Sequence, residues 1–276
     1  MSWHAHLRLH LQREGGRSVT RFLHDGPLRV LQTLYPEGDA ICHNVLVHPP
    51  GGLVGGDVLD VDVQVDEGAH GVVTTPGAAR FYRSDGPAAI QRLRFTLAGG
   101  ARLEWLPHET ICYSGCTAEN RLQMQLAPGS EMLGWDVCAL GLPAAGQPFE
   151  RGSVLQHLSL NDAWLERGHL RAVDKRLLDG PLGLAGRRCL ATLWFAAGQD
   201  LPRDRIAGAL AAARAVIEAH PLATTAGATS PSGQLVVVRV LSDLVEPAMA
   251  LLRSVRDAWR RDLWALPPTQ PRLWAL

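Results

Sequence analysis

The sequence is poor in lysine and has no excess charge of either sign. Lys175 is the only lysine among 27 lysine and arginine residues, which leaves little scope for Schiff-base or Walker-type lysine chemistry. The 27 cations balance 27 acidic residues, so no basic surface for a phosphate backbone is expected. We therefore expect no nucleic-acid partner.

Long apolar runs and enzyme motifs are also missing. Residues 1–12 alternate apolar and polar side chains, unlike a signal peptide or a membrane span. The five cysteines are odd in number and irregularly spaced, which favours free thiols in a reducing cytosol. No GxSxG, HExxH or CxxC motif occurs, so no catalytic residue is predicted. We expect a cytoplasmic protein with no membrane partner.

Up to about residue 199 the hydrophobic pattern has a period of two. Val61, Val63 and Val65 alternate with polar residues, and turn signals such as Gly99-Gly100 and Pro128-Gly129 separate such runs. Alternation of this kind is typical of strands with one buried face. The pattern predicts a mainly β fold of many short strands in a stacked-sheet arrangement, in which the sheets either pack in pairs or wind as a solenoid.

After Gln199 the period becomes helical. One helix is predicted over residues 206–219 and a second over 244–263, with a strand at 235–241 between them. No linker long enough to separate domains occurs, so we expect one domain, with a β body of residues 1–199 and residues 200–276 packed on it. Residues of the helical stripes are candidates for contact with a partner: Ile206, Leu210 and Ile217 in the first helix and Leu252, Val255 and Trp259 in the second.

The string HPPGGLVGGD at residues 48–57 forbids regular structure. A nucleotide cradle is disfavoured because neither GK[ST] nor a GxGxxG before a helix is present. Two readings stay open: a tight corner whose loop amides are held by Asp57, or a contact surface or channel lining. The loop motif comprises His48, Pro49, Gly51, Gly52, Gly55 and Gly56.

A second dense string, TTPGAARFYRSDGP at residues 74–87, crowds aromatic and cationic groups together. Such groups are typical of protein interfaces, but they also stack within a fold through cation–π contacts. Both interpretations stay open. The candidate interface residues are Arg80, Phe81, Tyr82 and Arg83.

The spacing of the candidate metal ligands does not match a strong metal-binding motif. His108, Cys112 and Cys116 form HxxxCxxxC, but structural zinc normally requires a second pair of ligands. Buried thiols are the alternative. Asp57, Asp136 and Asp174 lie beside apolar runs, and buried acids are either functional or paired with arginine.

Taken in order, several of these strings resemble the UreD (UreH) family of urease accessory proteins over nearly the whole chain. The resemblance implies a mostly β, solenoid-like fold with two helices. It also implies a non-enzymatic maturation factor that binds apo-urease and recruits UreF and UreG for nickel insertion, with nickel only transiently bound and no tight cofactor. The matching strings are GPLRV, HPPGGLVGGD, TTPGAARFYRS, LEWLPHETI, GWDVCALGLPAAGQPF and PRLW.

For individual residues, the resemblance implies a nickel tunnel lined by Asp57, Asp136 and Asp174, and UreF docking on the two helices. Few carboxylates with retained waters bind a divalent ion loosely, as conduction requires. The chain departs from the family pattern at Ala79, at Leu142 and in its Cys112–Cys116 pair. An alternative is a metal-storage protein or metal-dependent enzyme using His108, Cys112 and Cys116.

Overall fold

The computed structural model describes residues 2–275 and is mainly β. Strands account for 47% of the residues and helices for 17%, and the strands wind into a β-solenoid of about four turns. Two of the three helices lie near the C-terminus. The predicted fold class is therefore confirmed.

The strands are β1 His4–Glu14, β2 Arg17–Asp25, β3 Arg29–Val30, β4 Ile41–Val47, β5 Val58–Val65, β6 His70–Thr74, β7 Ala79–Phe81, β8 Ala89–Leu97, β9 Arg102–Leu106, β10 Thr110–Cys112, β11 Thr117–Leu126, β12 Glu131–Leu142, β13 Gln147–Pro148, β14 Ser153–Leu160, β15 Trp164–Arg171, β16 Cys189–Ala197, β17 Ala226–Ser232 and β18 Leu235–Ser242. The helices are α1 Lys175–Asp179, α2 Arg203–Glu218 and α3 Val245–Trp264, with 3₁₀ turns at Pro143–Ala145 and Arg272–Ala275.

Successive turns of the chain stack strand on strand. In the first sheet β1, β5, β8, β11 and β14 run parallel, and β2 and β15 pair antiparallel at its two edges. In the second sheet β4, β6, β9 and β12 run parallel, and β16, β18 and β17 extend it antiparallel. Strand β10 pairs with the end of β12, and β7 pairs with β10, which forms a short third face.

Stacked glycines form one corner of the solenoid. Gly68, Gly100 and Gly129 follow strands of the first sheet in consecutive turns and have φ of 68°, 69° and 84°. A Cβ on Gly129 would lie 3.5 Å from the backbone nitrogen of Gly100, and one on Gly100 would lie 3.8 Å from that of Gly68. Glycine adopts this left-handed backbone at no steric cost, so the predicted turn signals become equivalent corners.

Helices α2 and α3 cover the outer face of the second sheet. Leu252, Val255 and Trp259 are fully buried there, and Ile217 is nearly so. These four side chains belong to the core of the chain, so the expectation that they contact a partner is wrong. Ile206 and Leu210, together with other partly buried side chains of α2, pack at the margin of the same cluster.

The chain after α3 returns to the solenoid. The Trp274 ring lies 5.3 Å from the Trp135 ring on β12, and its indole N–H donates to the hydroxyl of Thr74 at 3.1 Å. The tail therefore packs beside the strands that carry the candidate site. Among the helices of residues 2–275, none combines the length and apolar character that crossing a membrane requires.

Candidate functional site

Two small cavities adjoin inside the solenoid. The inner one, of about 40 Å³, is lined by His108 and Asp136, and the outer one, of about 150 Å³, by His48. Both volumes exceed what one water molecule requires. We call the two together the passage, since they share the wall residues Leu46, Thr75, Ala79 and Gln91.

The position of the passage is set by the way in which strand ends stack in successive turns. Val45 pairs with Thr74, and Thr74 with Leu106, in three consecutive turns of the second sheet. The residues that follow them line the passage, among them Thr75 and His108. The backbone N–H of His108 donates to the Thr75 hydroxyl at 2.9 Å, which ties two successive turns together at this point.

Asp136 lies at the inner end of the passage, on β12, within a chain of amide side chains. Its carboxylate accepts hydrogen bonds from the Asn120 amide at 2.7 Å and the Gln156 amide at 2.5 Å. The Gln91 amide donates to Asn120 Oδ1 at 3.1 Å. Gln91, Asn120 and Gln156 pair in register on β8, β11 and β14, so they form one inward-facing column.

Burial raises the pKa of Asp136 to about 6, and the amide hydrogen bonds from Asn120 and Gln156 oppose this effect. The negative charge of Glu166 adds to the rise. The group is therefore a carboxylate at neutral pH that is held in an environment favouring its neutral form. Such a charge attracts a cation.

The two histidines of the passage have unused ring nitrogens. Nε2 of His48 and Nε2 of His108 are buried, and neither has a hydrogen-bond partner within residues 2–275. Burial lowers the pKa of His48, whose ring lies 5.0 Å from that of Trp3. Nδ1 of His108 lies 3.8 Å from a carboxylate oxygen of Glu109.

The three predicted tunnel acids are not together. The Asp57 carboxylate is buried and accepts hydrogen bonds from the backbone N–H of Trp3 at 3.2 Å and of Val54 at 2.9 Å. Asp174 caps α1 by accepting from the backbone N–H of Leu177 at 3.0 Å. Neither residue lines the passage, and each carboxylate instead satisfies backbone donors near it in sequence or space. Of the three, only Asp136 lines the passage.

The two dense strings pack against each other. Leu53 pairs with the 80–82 segment, its N–H donating to the carbonyl of Arg80 and its carbonyl accepting from Tyr82 at 2.9 Å. The Ser84 hydroxyl accepts a hydrogen bond from the N–H of Gly55 at 2.8 Å. The corner interpretation of the HPPGG loop therefore holds for Asp57, and the outer cavity adds a passage lining at His48 and Gly51.

Within residues 80–83 the burial differs sharply. Phe81 is 1% exposed and is a core residue, so it is wrong as an interface candidate, whereas Tyr82 is 36% exposed. Arg83 is exposed and Arg80 half-buried. The Arg80 guanidinium donates to the carbonyl of Gly51 at 3.4 Å.

The thiols do not assemble with His108. All five cysteines are free and buried, and Cys112 Sγ lies 3.9 Å from Cys138 Sγ. Hydrogen bonds with Cys116 and Cys138 raise the pKa of Cys112. Across residues 2–275, no group of three or more histidine, cysteine, aspartate or glutamate side chains is placed to hold a metal ion. The His108–Cys112–Cys116 metal site is therefore wrong, because His108 points to the passage and the thiols pack on the third face.

The amides Gln91, Asn120 and Gln156 were absent from the sequence prediction. Their signal is a polar residue at an inward position of three alternating runs, each followed two residues later by a buried leucine. One polar residue at such a position is unremarkable alone. Three such residues in register on neighbouring strands form a polar column inside the solenoid.

The chain is similar to known proteins over its whole length. Residues 4–275 match the family model described as UreD urease accessory protein. Proteins named urease accessory protein UreD are 64% identical over 276 residues in Paracidovorax citrulli and 62% identical over 275 residues in Variovorax paradoxus. Another, from Polaromonas sp., is 60% identical over 276 residues. Each match covers 100% of both chains.

Proposed function

Because the chain belongs to the UreD family of urease accessory proteins, which act in urease maturation, we propose that it is a non-catalytic scaffold and nickel conduit. In this proposal it binds apo-urease, recruits UreF and UreG, and works in the cytoplasm. Nickel is its cargo, and no cofactor is tightly bound.

The observation that carries the conduit proposal is the passage that ends at Asp136. A nickel ion entering beside His48 would meet polar side chains at Thr75 and Gln91 before reaching the carboxylate. One carboxylate with amide neighbours offers too few donors for tight binding. Weak binding suits a conduit, since an ion that binds tightly leaves slowly.

For the scaffold role, the exposed side of the helices remains the proposed UreF surface. The stripe that includes Leu252 and Trp259 is used by the core, so contact would fall to the outward residues of α2 and α3. Leu244, just before α3, is 43% exposed. Ile206 and Leu210 keep partial exposure on α2 and remain the interface candidates of that helix.

The conduit proposal is tested by Asp136→Asn, which removes the charge and keeps the shape. We expect the accessory complex to assemble on apo-urease while urease activation at limiting nickel slows. Asp162→Asn, at an exposed turn between β14 and β15, is the matched control and should activate normally. Activation at the wild-type rate by Asp136→Asn would remove the conduit and leave the scaffold.

A further inference from the structure

His48 and His108 bring two unpaired imidazole nitrogens to the passage. A buried polar atom without a partner destabilises a fold, so most such atoms in native proteins are paired. Here two of them line adjoining cavities, and each is the Nε2 atom of a histidine. The two unpaired atoms together point to a ligand that is coordinated by imidazole nitrogen.

The surroundings of the two rings are compatible with Nε2 acting as a metal ligand. Burial keeps His48 uncharged at neutral pH, against a weaker opposing effect of Asp57. The Glu109 carboxylate lies on the Nδ1 side of His108 at 3.8 Å, and a carboxylate there favours a proton on Nδ1 and a lone pair on Nε2. The tautomer is inferred from this neighbour.

We propose that His48 and His108 are the ion-selecting residues of the passage, each presenting one imidazole nitrogen in turn to a passing nickel ion. The inference rests on the proposed conduit and adds its selectivity. Carboxylate and amide oxygens suit magnesium, whereas imidazole suits nickel, copper and zinc. With oxygen donors alone, the passage would have no chemical basis for rejecting magnesium.

The placement of the rings fits transfer. His48 lines the outer cavity, and His108 lines the inner one together with Asp136. Thr75 and Gln91 lie in the shared wall between them. Each ring is thus a one-nitrogen contact, enough to discriminate between ions and too weak to retain one.

The test is the double variant His48→Gln/His108→Gln, which replaces both nitrogens with amide groups. His169→Gln, at an exposed position on β15, is the control. Urease activation by the full accessory complex is measured at limiting nickel, with and without a large excess of magnesium. We expect magnesium to reduce activation by the double variant about tenfold, and to leave the wild type and the control unchanged.

A second readout does not depend on urease. Nickel X-ray absorption of the full-length chain, loaded with substoichiometric nickel, should show imidazole scattering in the wild type and in His169→Gln. The double variant should lose it while keeping the wild-type thermal unfolding midpoint. If the double variant does not fold, the two single variants are measured, and each should lose part of the signal.

Wild-type behaviour of the double variant in both readouts would overturn the inference. Asp136→Asn, measured in parallel, separates this failure from that of the conduit. If Asp136→Asn activates urease slowly while the double variant behaves like the wild type, the conduit proposal stands and ion selection by the imidazoles is rejected. Normal activation by Asp136→Asn, with magnesium-insensitive activation by the double variant, would reject both.

Discussion

Arg256 of α3 donates two hydrogen bonds to one carboxylate oxygen of Glu104, at 2.9 and 2.7 Å, although 152 residues separate them. Both side chains are fully buried. Arg260, one helical turn later, bonds the other oxygen of Glu104 and also Glu37. This paired cluster fastens the last helix to the middle of the second sheet.

We predict that Glu104→Gln lowers the free energy of unfolding by about 3 kcal/mol, because it removes the buried carboxylate that the two buried guanidinium groups share. Urea denaturation measures the change, and Glu218→Gln at the end of α2, where the side chain is exposed, is the control. A loss below about 1 kcal/mol would show that the cluster is not needed for stability.

The same cluster predicts an acid dependence. Burial acts to raise the pKa of Glu104, but Arg256, His70 and Arg260 outweigh it and hold the pKa at about 2, below the ordinary value of 4.5. The stabilisation is therefore complete above pH 4.5 and is lost as the pH falls toward 2. Unfolding free energies measured across this range should fall less steeply in Glu104→Gln than in the wild type.

The buried carboxylate of Asp136 predicts a pH dependence of stability that has the opposite sign. Its pKa in the folded chain, about 6, lies above the ordinary value of 3.8, so burial favours the protonated form. Ionisation therefore destabilises the fold by about 3 kcal/mol at pH 7, and the effect vanishes below pH 4. The stability difference between Asp136→Asn and the wild type should move in favour of the variant as the pH rises from 4 to 7.

A pH-independent difference would contradict this prediction. The test is separate from urease activation, because it reports only the charge state of the buried group. Asp162→Asn is again the control and should show no such trend.

The stacked glycines predict that this corner of the solenoid is sensitive to substitution. Gly129→Ala should lower the unfolding free energy by about 1 kcal/mol or more, because φ of 84° strains an L-residue. Gly16→Ala, where a Cβ would meet open space and φ is not positive, should be close to neutral. Thermal unfolding of the two variants checks the difference, and equal midpoints would contradict it.

The hydrogen bonds of Asp57 predict that removing its carboxylate destabilises the 48–57 loop. Asp57→Ala leaves the N–H groups of Trp3 and Val54 without their partner, which should cost about 1–3 kcal/mol. Limited proteolysis should then cut the 48–57 loop faster than in the wild type. Unchanged proteolysis would show that this carboxylate does not hold the loop, and Asp85→Ala at an exposed turn is the control.

Local patterns in the sequence predicted most of the architecture. The period of two, the turn glycines and the helical stripes predicted stacked β-sheets with two C-terminal helices, and the family resemblance selected a solenoid over paired sheets. The second helix begins and ends within one residue of its predicted bounds. These features depend on neighbouring residues, whose side chains alternate or share a face regardless of the rest of the fold. The family resemblance rests on short strings in their order along the chain.

Only the tertiary structure decided which residues meet. Asp57, Asp136 and Asp174 look alike beside their apolar runs, yet two of them cap backbone N–H groups and one lies in the passage. His48 and His108 come from different turns and line adjoining cavities. Such neighbours are set by the register between turns roughly thirty residues apart, where a slip of one residue would turn every inward side chain outward.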